Sequence, residues 1–249
     1  MLRAIGFDDA AVLDGGFDKW EAEGRPVQTG SRTYPPASLT AKPRPGLFVG
    51  KEAVRAAIGD AAIEMALLAF EQAAAHYDVK SMRHRIEHAE LIDDGQIARA
   101  VSLGIVLSMQ PAYEGHWGEI GGMYQQRLGD HYGQSNQFRS IIDAGLILCG
   151  GSDSDVTDYN PMQGIHYAVN HPVARNRVTL PEALRMYTYN GAFALFKERE
   201  IGSLAPGKKA DIVILDRDIL KTDPTALNDV GVEMTIKAGD ILFNRREYA

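Results

Sequence analysis

Three short runs, Arg85 to Ala89, Ile105 to Met109 and Leu146 to Cys149, each give way at once to polar or glycine residues, and they limit the possible folds more than any other feature. Each reads as a strand apolar on both faces, the pattern of parallel strands buried between helices. Helical spacing fills the intervals. Ile63, Leu67, Phe70, Ala74 and Tyr77 recur at helical period and predict one amphipathic helix over residues 61 to 78. Gly95 to Leu103 and Gln137 to Ala144 predict two more. Strand and helix in alternation give an α/β chain with a parallel sheet. The residues that follow the strands, His88, Gln110-Pro111 and Gly150-Gly151-Ser152-Asp153, then share the C-terminal rim, where a βα barrel carries its chemistry.

Later segments change texture. Asn160 to Asn190 reads as mostly helical, with Thr179 an N-cap before Leu180-Pro181-Glu182-Ala183. Asp211 to Asp216 is a strand, and Val232 to Phe243, interrupted by Ala238-Gly239-Asp240, is a hairpin. The first 60 residues differ again. A short apolar run, Ala10 to Leu13, precedes a helical turn from Phe17 to Glu23, and a stretch rich in Pro and Gly from Gly24 to Gly46 reads as a linker. Leu47-Phe48-Val49 and a helical Lys51 to Ile58 follow.

Composition excludes some classes of partner. An excess of 33 acidic over 26 basic residues gives a net charge of -7, the opposite of a phosphate-tracking surface, so no nucleic acid is expected. No stretch is apolar for the roughly 20 residues a membrane span needs, so no membrane is expected either. The single cysteine, Cys149, lies in the run Leu146-Ile147-Leu148-Cys149 and reads as a small buried residue. Its solitude fits a reducing compartment, and the expected location is cytoplasmic.

Two rim residues could do chemistry together. His88 and Asp153 come from different strand ends, as the ligands of a hydrolytic metal site in a parallel barrel would. Such a metal lowers the pKa of bound water towards 7, and a neighbouring carboxylate can pass the proton to a leaving nitrogen. On spacing alone, a His at a strand end and an Asp in a glycine-rich loop are more often hydrogen-bonded structural residues. His116 and His131 fall in a glycine-rich stretch, Glu114 to Gly133, read as a long loop over the barrel mouth and a candidate for substrate contact. His84, four residues before His88, shares a strand face with it rather than forming a helical metal pair, and His166 and His171 read as packing or surface residues.

These residues carry a family resemblance. Ile58-Gly59-Asp60-Ala61-Ala62, Arg83 to Glu90 (RHRIEHAE), Ser108-Met109-Gln110-Pro111, Gly151-Ser152-Asp153 and Ile201 to Asp211 (IGSLAPGKKAD) occur in the order found in the amidohydrolase superfamily. From about residue 57 to 244 the chain resembles the C-terminal half of that superfamily's enzymes, in the branch that includes N-substituted formamide deformylases. The resemblance implies a partial (β/α)8 metal-dependent hydrolase barrel and a small C-terminal β-sandwich portion. It implies further that His88 is a metal ligand and that Asp153 both binds metal and shuttles the proton, with zinc as the metal and a small amide-type molecule as substrate. Other ligands of the family pattern, a His-x-His pair, a bridging Lys or Glu and a His just before Ile58-Gly59-Asp60, have no match, and Ala56 stands where that last His is expected. A catalytic zinc site normally has three protein ligands, so weak metal binding and impaired activity are expected.

The stretch Ala11 to Val27 resembles a rhodanese, a thiosulfate sulfurtransferase, after its active-site loop, and Phe48 to Ile58 is similar to the start of a following rhodanese domain. The persulfide-forming cysteine of that family is absent. The expected division is a rhodanese-like α/β fragment and linker over 1–56, a partial amidohydrolase barrel over 57–200 and a C-terminal β segment over 201–249. A join of two truncated genes near residues 56 to 60 accounts for it. The expected function is a metal-dependent hydrolase of non-peptide carbon-nitrogen bonds. The alternatives are a catalytically inactive fragment with a structural or partner-dependent role and, disfavoured by the missing cysteine, a sulfurtransferase. Open sheet edges on so short a barrel predict self-association.

Overall fold

The computed structural model describes residues 59–247 together with Gly24. The chain divides into two compact units, Met1–Ala56 and Ala57–Ala249, and the second is described below. The strand at 10–13, the helical segments at 17–23 and 51–58, the linker and the rhodanese-like fragment lie outside the described residues.

Helix α1, Asp60–Ala74, buries Ile63 and Leu67 four residues apart and leaves Met65 and Leu68 exposed, so one stripe of the helix meets the core. After Arg83, in the left-handed region, comes strand β1, Arg85–Glu87. Helix α2, Asp94–Leu103, opens on a capping box. The Gln96 amide donates to Asp93 Oδ1 at 2.7 Å and the Asp93 amide donates to Gln96 Oε1 at 3.2 Å. Gly104 ends that helix at a φ of 66°, with its N–H returned to the Ala100 and Val101 carbonyls. Strand β2 is Val106–Met109 and strand β3 is Ile147–Gly150.

The three strands form a parallel sheet in the order β1-β2-β3, with Arg85 opposite Val106, Glu87 opposite Ser108, and Met109 opposite Gly150. Parallel pairing in this register brings the residues that follow each strand to one edge of the sheet. The central strand is buried as its apolar run requires, with Leu107 and Met109 fully enclosed. Strand β1 departs from expectation: Arg85 and Glu87 are exposed and Ile86 half-buried. Among the described strands β1 pairs only with β2, and a charged pair at an edge, here bonded to each other at 3.0 Å, blunts it.

Helices α3 (Ala112–His116) and α4 (Met123–Leu128) lie between β2 and β3, with a 3-10 turn over Gly129–Gln134 and helix α5 (Phe138–Asp143). This corrects the long loop expected from Glu114 to Gly133. The glycines there mostly flank short helices, with Gly122 at the N-cap of α4 and Gly129 at its C-cap. Helix α6, Pro161–Val169, begins at Asn160, whose side chain accepts from the Met162 and Gln163 amides. Helix α7, Leu180–Met186, is capped by Thr179 in a second capping box with Glu182, and α8, Tyr189–Ala194, follows. The helical stretch from 160 to 190 is therefore several short helices rather than one.

The core holds Leu67, Ile92, Leu107, Met109, Phe138, Ile141, Leu148 and Met186, all without exposed surface. The remaining strands, β4 (Ile212–Leu215), β5 (Val232–Lys237) and β6 (Asp240–Asn244), form an antiparallel sheet in that order. The β5–β6 turn is Ala238-Gly239 with φ values of 52° and 96°, the paired positive angles of a tight hairpin. Among the described residues, no helix is long and apolar enough to cross a membrane.

Candidate functional site

His88 and Asp153 both follow strands of the parallel sheet, and both are exposed. The His88 amide donates to the Ser108 carbonyl at 2.8 Å, which ties the end of β1 to β2. Its ring nitrogen Nδ1 lies 3.0 Å from Oε1 of Gln110, a buried residue that directly follows β2. The Gly151 amide donates to the Met109 carbonyl at 2.9 Å, so the loop bearing Asp153 is fastened to the same strand.

Both backbones are unusual. His88 has a φ of 68° and Asp153 a φ of 50°, in the left-handed region that non-glycine residues rarely occupy. Such a conformation costs on the order of 1 kcal/mol or more and persists where surrounding contacts over-determine it.

Those contacts converge on a residue that sequence reasoning missed. Tyr113, on α3, is 6% exposed. Its hydroxyl donates to Asp153 Oδ2 at 2.5 Å. Its ring lies within 17° of parallel to the His88 imidazole, with centroids 6.3 Å apart. Burial first, and then the hydrogen bond to the Asp153 carboxylate, raise the phenol's pKa and keep it a donor. The available signal was the Tyr113/Trp117 pair, four residues apart as on a helix; in the structure their rings meet edge to face at 4.7 Å.

Helix α3 is wedged in place. At Gly115 an added Cβ would fall 2.0 Å from the Tyr167 ring on α6, so only glycine allows the two helices this approach. Glu114, 0% exposed, accepts from Asn136 Nδ2 at 2.5 Å on Oε1, while Oε2 has no hydrogen-bond partner among the described residues. His171, also 0% exposed, puts Nε2 3.5 Å from Glu114 Oε1 and accepts the Val173 amide on Nδ1 at 3.0 Å. Burial pushes the Glu114 carboxyl up to about 7 and the His171 imidazole down to about 3, so between those limits the two face each other uncharged.

The remaining candidates lie elsewhere. His116 is exposed at the end of α3 beside Trp117, and exposed His131 has Nδ1 3.2 Å from Gln134 Oε1. His84 stacks on Phe70 at 4.9 Å. His166 is half-buried, and His171 is a packing residue, as expected. Cys149 is buried, with its thiol pushed up to about 11 mainly by burial.

As a metal site, the described residues fall short. Among them, no group of three or more His, Cys, Asp or Glu side chains is placed to hold an ion. His88 and Asp153 make two donors, whereas a catalytic zinc takes three protein ligands. The donor set does not by itself fit a catalytic metal.

Known proteins share this frame. A model of the amidohydrolase family matches residues 11–243, a span that takes in most of the rhodanese-like segment. The putative amidohydrolase YtcJ of Bacillus subtilis is 31% identical over 211 residues, covering 79% of this chain and 38% of that protein. The N-substituted formamide deformylase of Arthrobacter pascens is 31% identical over 195 residues, covering 76% of this chain and 36% of that enzyme. Among solved structures, an uncharacterized metal-dependent hydrolase from Pyrococcus furiosus superposes with a TM-score of 0.55 at 30% identity, over 68% of this chain and 33% of that one. The chain thus spans between 33% and 38% of the length of these proteins. The parallel sheet and its helices are part of a metal-dependent hydrolase barrel. With its matched span running almost from end to end, the chain belongs to the amidohydrolase family.

Proposed function

We propose that this chain carries part of the active site of a hydrolase that cleaves carbon-nitrogen bonds other than peptide bonds in a small amide-type molecule. The observation that carries the reading is the convergence of His88 and Asp153 on Tyr113 at the C-terminal edge of a parallel sheet. In this reading both residues are ligands of a divalent metal, zinc in the first instance, and Asp153 is the proton carrier. A carboxylate held on one oxygen by a phenol keeps the other to take a proton from water and pass it to the departing nitrogen. The name of the deformylase relative supports formamides as the first substrates to try. A divalent metal is supported at the level of the family, by metal-dependent relatives.

The shortage of donors favours a second reading, a catalytically inactive chain with a structural or partner-dependent role. The division at residues 56 to 60 and the rhodanese-like character of the first part stand as proposals beside both, as do a cytoplasmic location and the absence of nucleic-acid and membrane partners. Metal analysis of the purified chain, with a screen of N-formyl and N-acyl amines, separates the two. Hydrolysis together with stoichiometric metal that is lost in His88→Ala supports the hydrolase. Substoichiometric metal and no turnover in added zinc would overturn it.

A further inference from the structure

Helix α3 makes one turn and presents three consecutive residues to three different parts of the chain. Tyr113 faces Asp153 and His88, Glu114 bonds Asn136, and Gly115 abuts Tyr167 of α6. A short helix fixed on several sides holds its side chains to a narrow range of positions. The residue so held bonds Asp153 and lies with its ring nearly parallel to that of His88, and both of those have backbone angles that need external support.

We infer that Tyr113 is a positioning residue, whose hydroxyl sets the orientation of the Asp153 carboxylate while its ring limits the tilt of the His88 imidazole. A tyrosine filling core space alone could be replaced by phenylalanine without effect, since the two rings have nearly the same shape. Here the hydroxyl ends on a carboxylate oxygen, and a hydrogen bond to a charged acceptor contributes more than one between neutral groups. A second polar side chain meets a candidate residue, Gln110, whose Oε1 lies 3.0 Å from His88 Nδ1. Tyr113 therefore orders the carboxylate, and Gln110 orders the imidazole through its Nδ1. The catalytic meaning of this role rests on the hydrolase reading above; the contact does not.

The test uses the full chain as wild type, Tyr113→Phe and Asp153→Asn. A buried phenol hydrogen-bonded to a carboxylate exchanges its proton slowly, so proton NMR should show a downfield hydroxyl resonance in the wild type that is absent from Tyr113→Phe and moved upfield in Asp153→Asn, whose neutral amide oxygen is the weaker acceptor. With the formamide most rapidly hydrolysed in the screen, Tyr113→Phe should lower kcat roughly ten- to a hundredfold, the effect of losing one charge-assisted hydrogen bond, and leave KM within about twofold. A resonance at the wild-type position in Asp153→Asn, or wild-type kcat in Tyr113→Phe, would overturn the inference. If the wild type hydrolyses nothing, the hydrolase reading fails and the resonance alone decides the role of Tyr113. Should Tyr113→Phe fail to fold, Asp153→Asn gives the same spectroscopic answer without altering the aromatic core.

Discussion

Glu114 has an unusual position among the described carboxylates, enclosed and facing a neutral histidine. The groups around it are Asn136, His171 and, acting through space, the Glu90 carboxylate, while the Tyr132 and Tyr124 phenols feel its charge. Burial is the largest cause of its upward shift from 4.5 to about 7, and repulsion from Glu90 adds to it. A carboxyl whose folded pKa is raised is most stabilising below its unfolded value, and that stability is lost as pH rises through the folded one. The folded protein should lose on the order of 2–3 kcal/mol between pH 4.5 and about 7 through this group. His171 works in the opposite sense, since its lowered pKa removes stability as pH falls from 6.5 towards 3. Thermal melts across this range should show Glu114→Gln with a flatter profile than the wild type on the alkaline side; parallel profiles would rule the idea out. None of this was legible in the sequence. His88 and Asp153 could be singled out because each sits in a recognisable string after a strand. Glu114, His171 and Tyr113 meet through the tertiary fold, and a glycine-rich neighbourhood hid the helix that carries two of them.

Elements were legible in proportion to their length and to the clarity of their ends. Helix α1 spans 15 residues, enough for an apolar stripe to repeat, and α7 announced itself through Thr179 and Glu182. Its capping box should contribute measurably: Thr179→Ala should cost about 1 kcal/mol in chemical denaturation. Helices α3 and α4, at 5 and 6 residues, are too short for a period to show against glycines that signal turns. Strand β2 was clear because burial on both sides demands an unbroken apolar run. Leu107, enclosed at its centre, should cost about 2–5 kcal/mol when changed to Ala, by lost transfer energy and a residual cavity. A smaller loss would mean that the neighbouring helices collapse into the space. Strand β1 was placed correctly but its burial was not, because whether a strand lies at an edge depends on what pairs beside it.

At the scale of the whole molecule, the described parallel sheet has three strands, and β1 and β3 each pair with one neighbour only. We expect self-association through the β3 edge, since the Arg85–Glu87 pair blunts that of β1, detectable by sedimentation velocity as a concentration-dependent rise in average mass; a monomer at every concentration would exclude it. Barrel ancestry could be read from the order of the motifs, whereas the metal site could not be completed from them, since ligation depends on which segments are brought together. The left-handed backbones of His88 and Asp153 bear on how such a chain can be improved. Both positions would suit glycine better than the residues they hold, so His88→Gly should be more stable than His88→Ala by about 1 kcal/mol. A selection for thermal resistance alone would therefore tend to erase these two side chains. Their retention in an engineered variant would have to be enforced by screening for function.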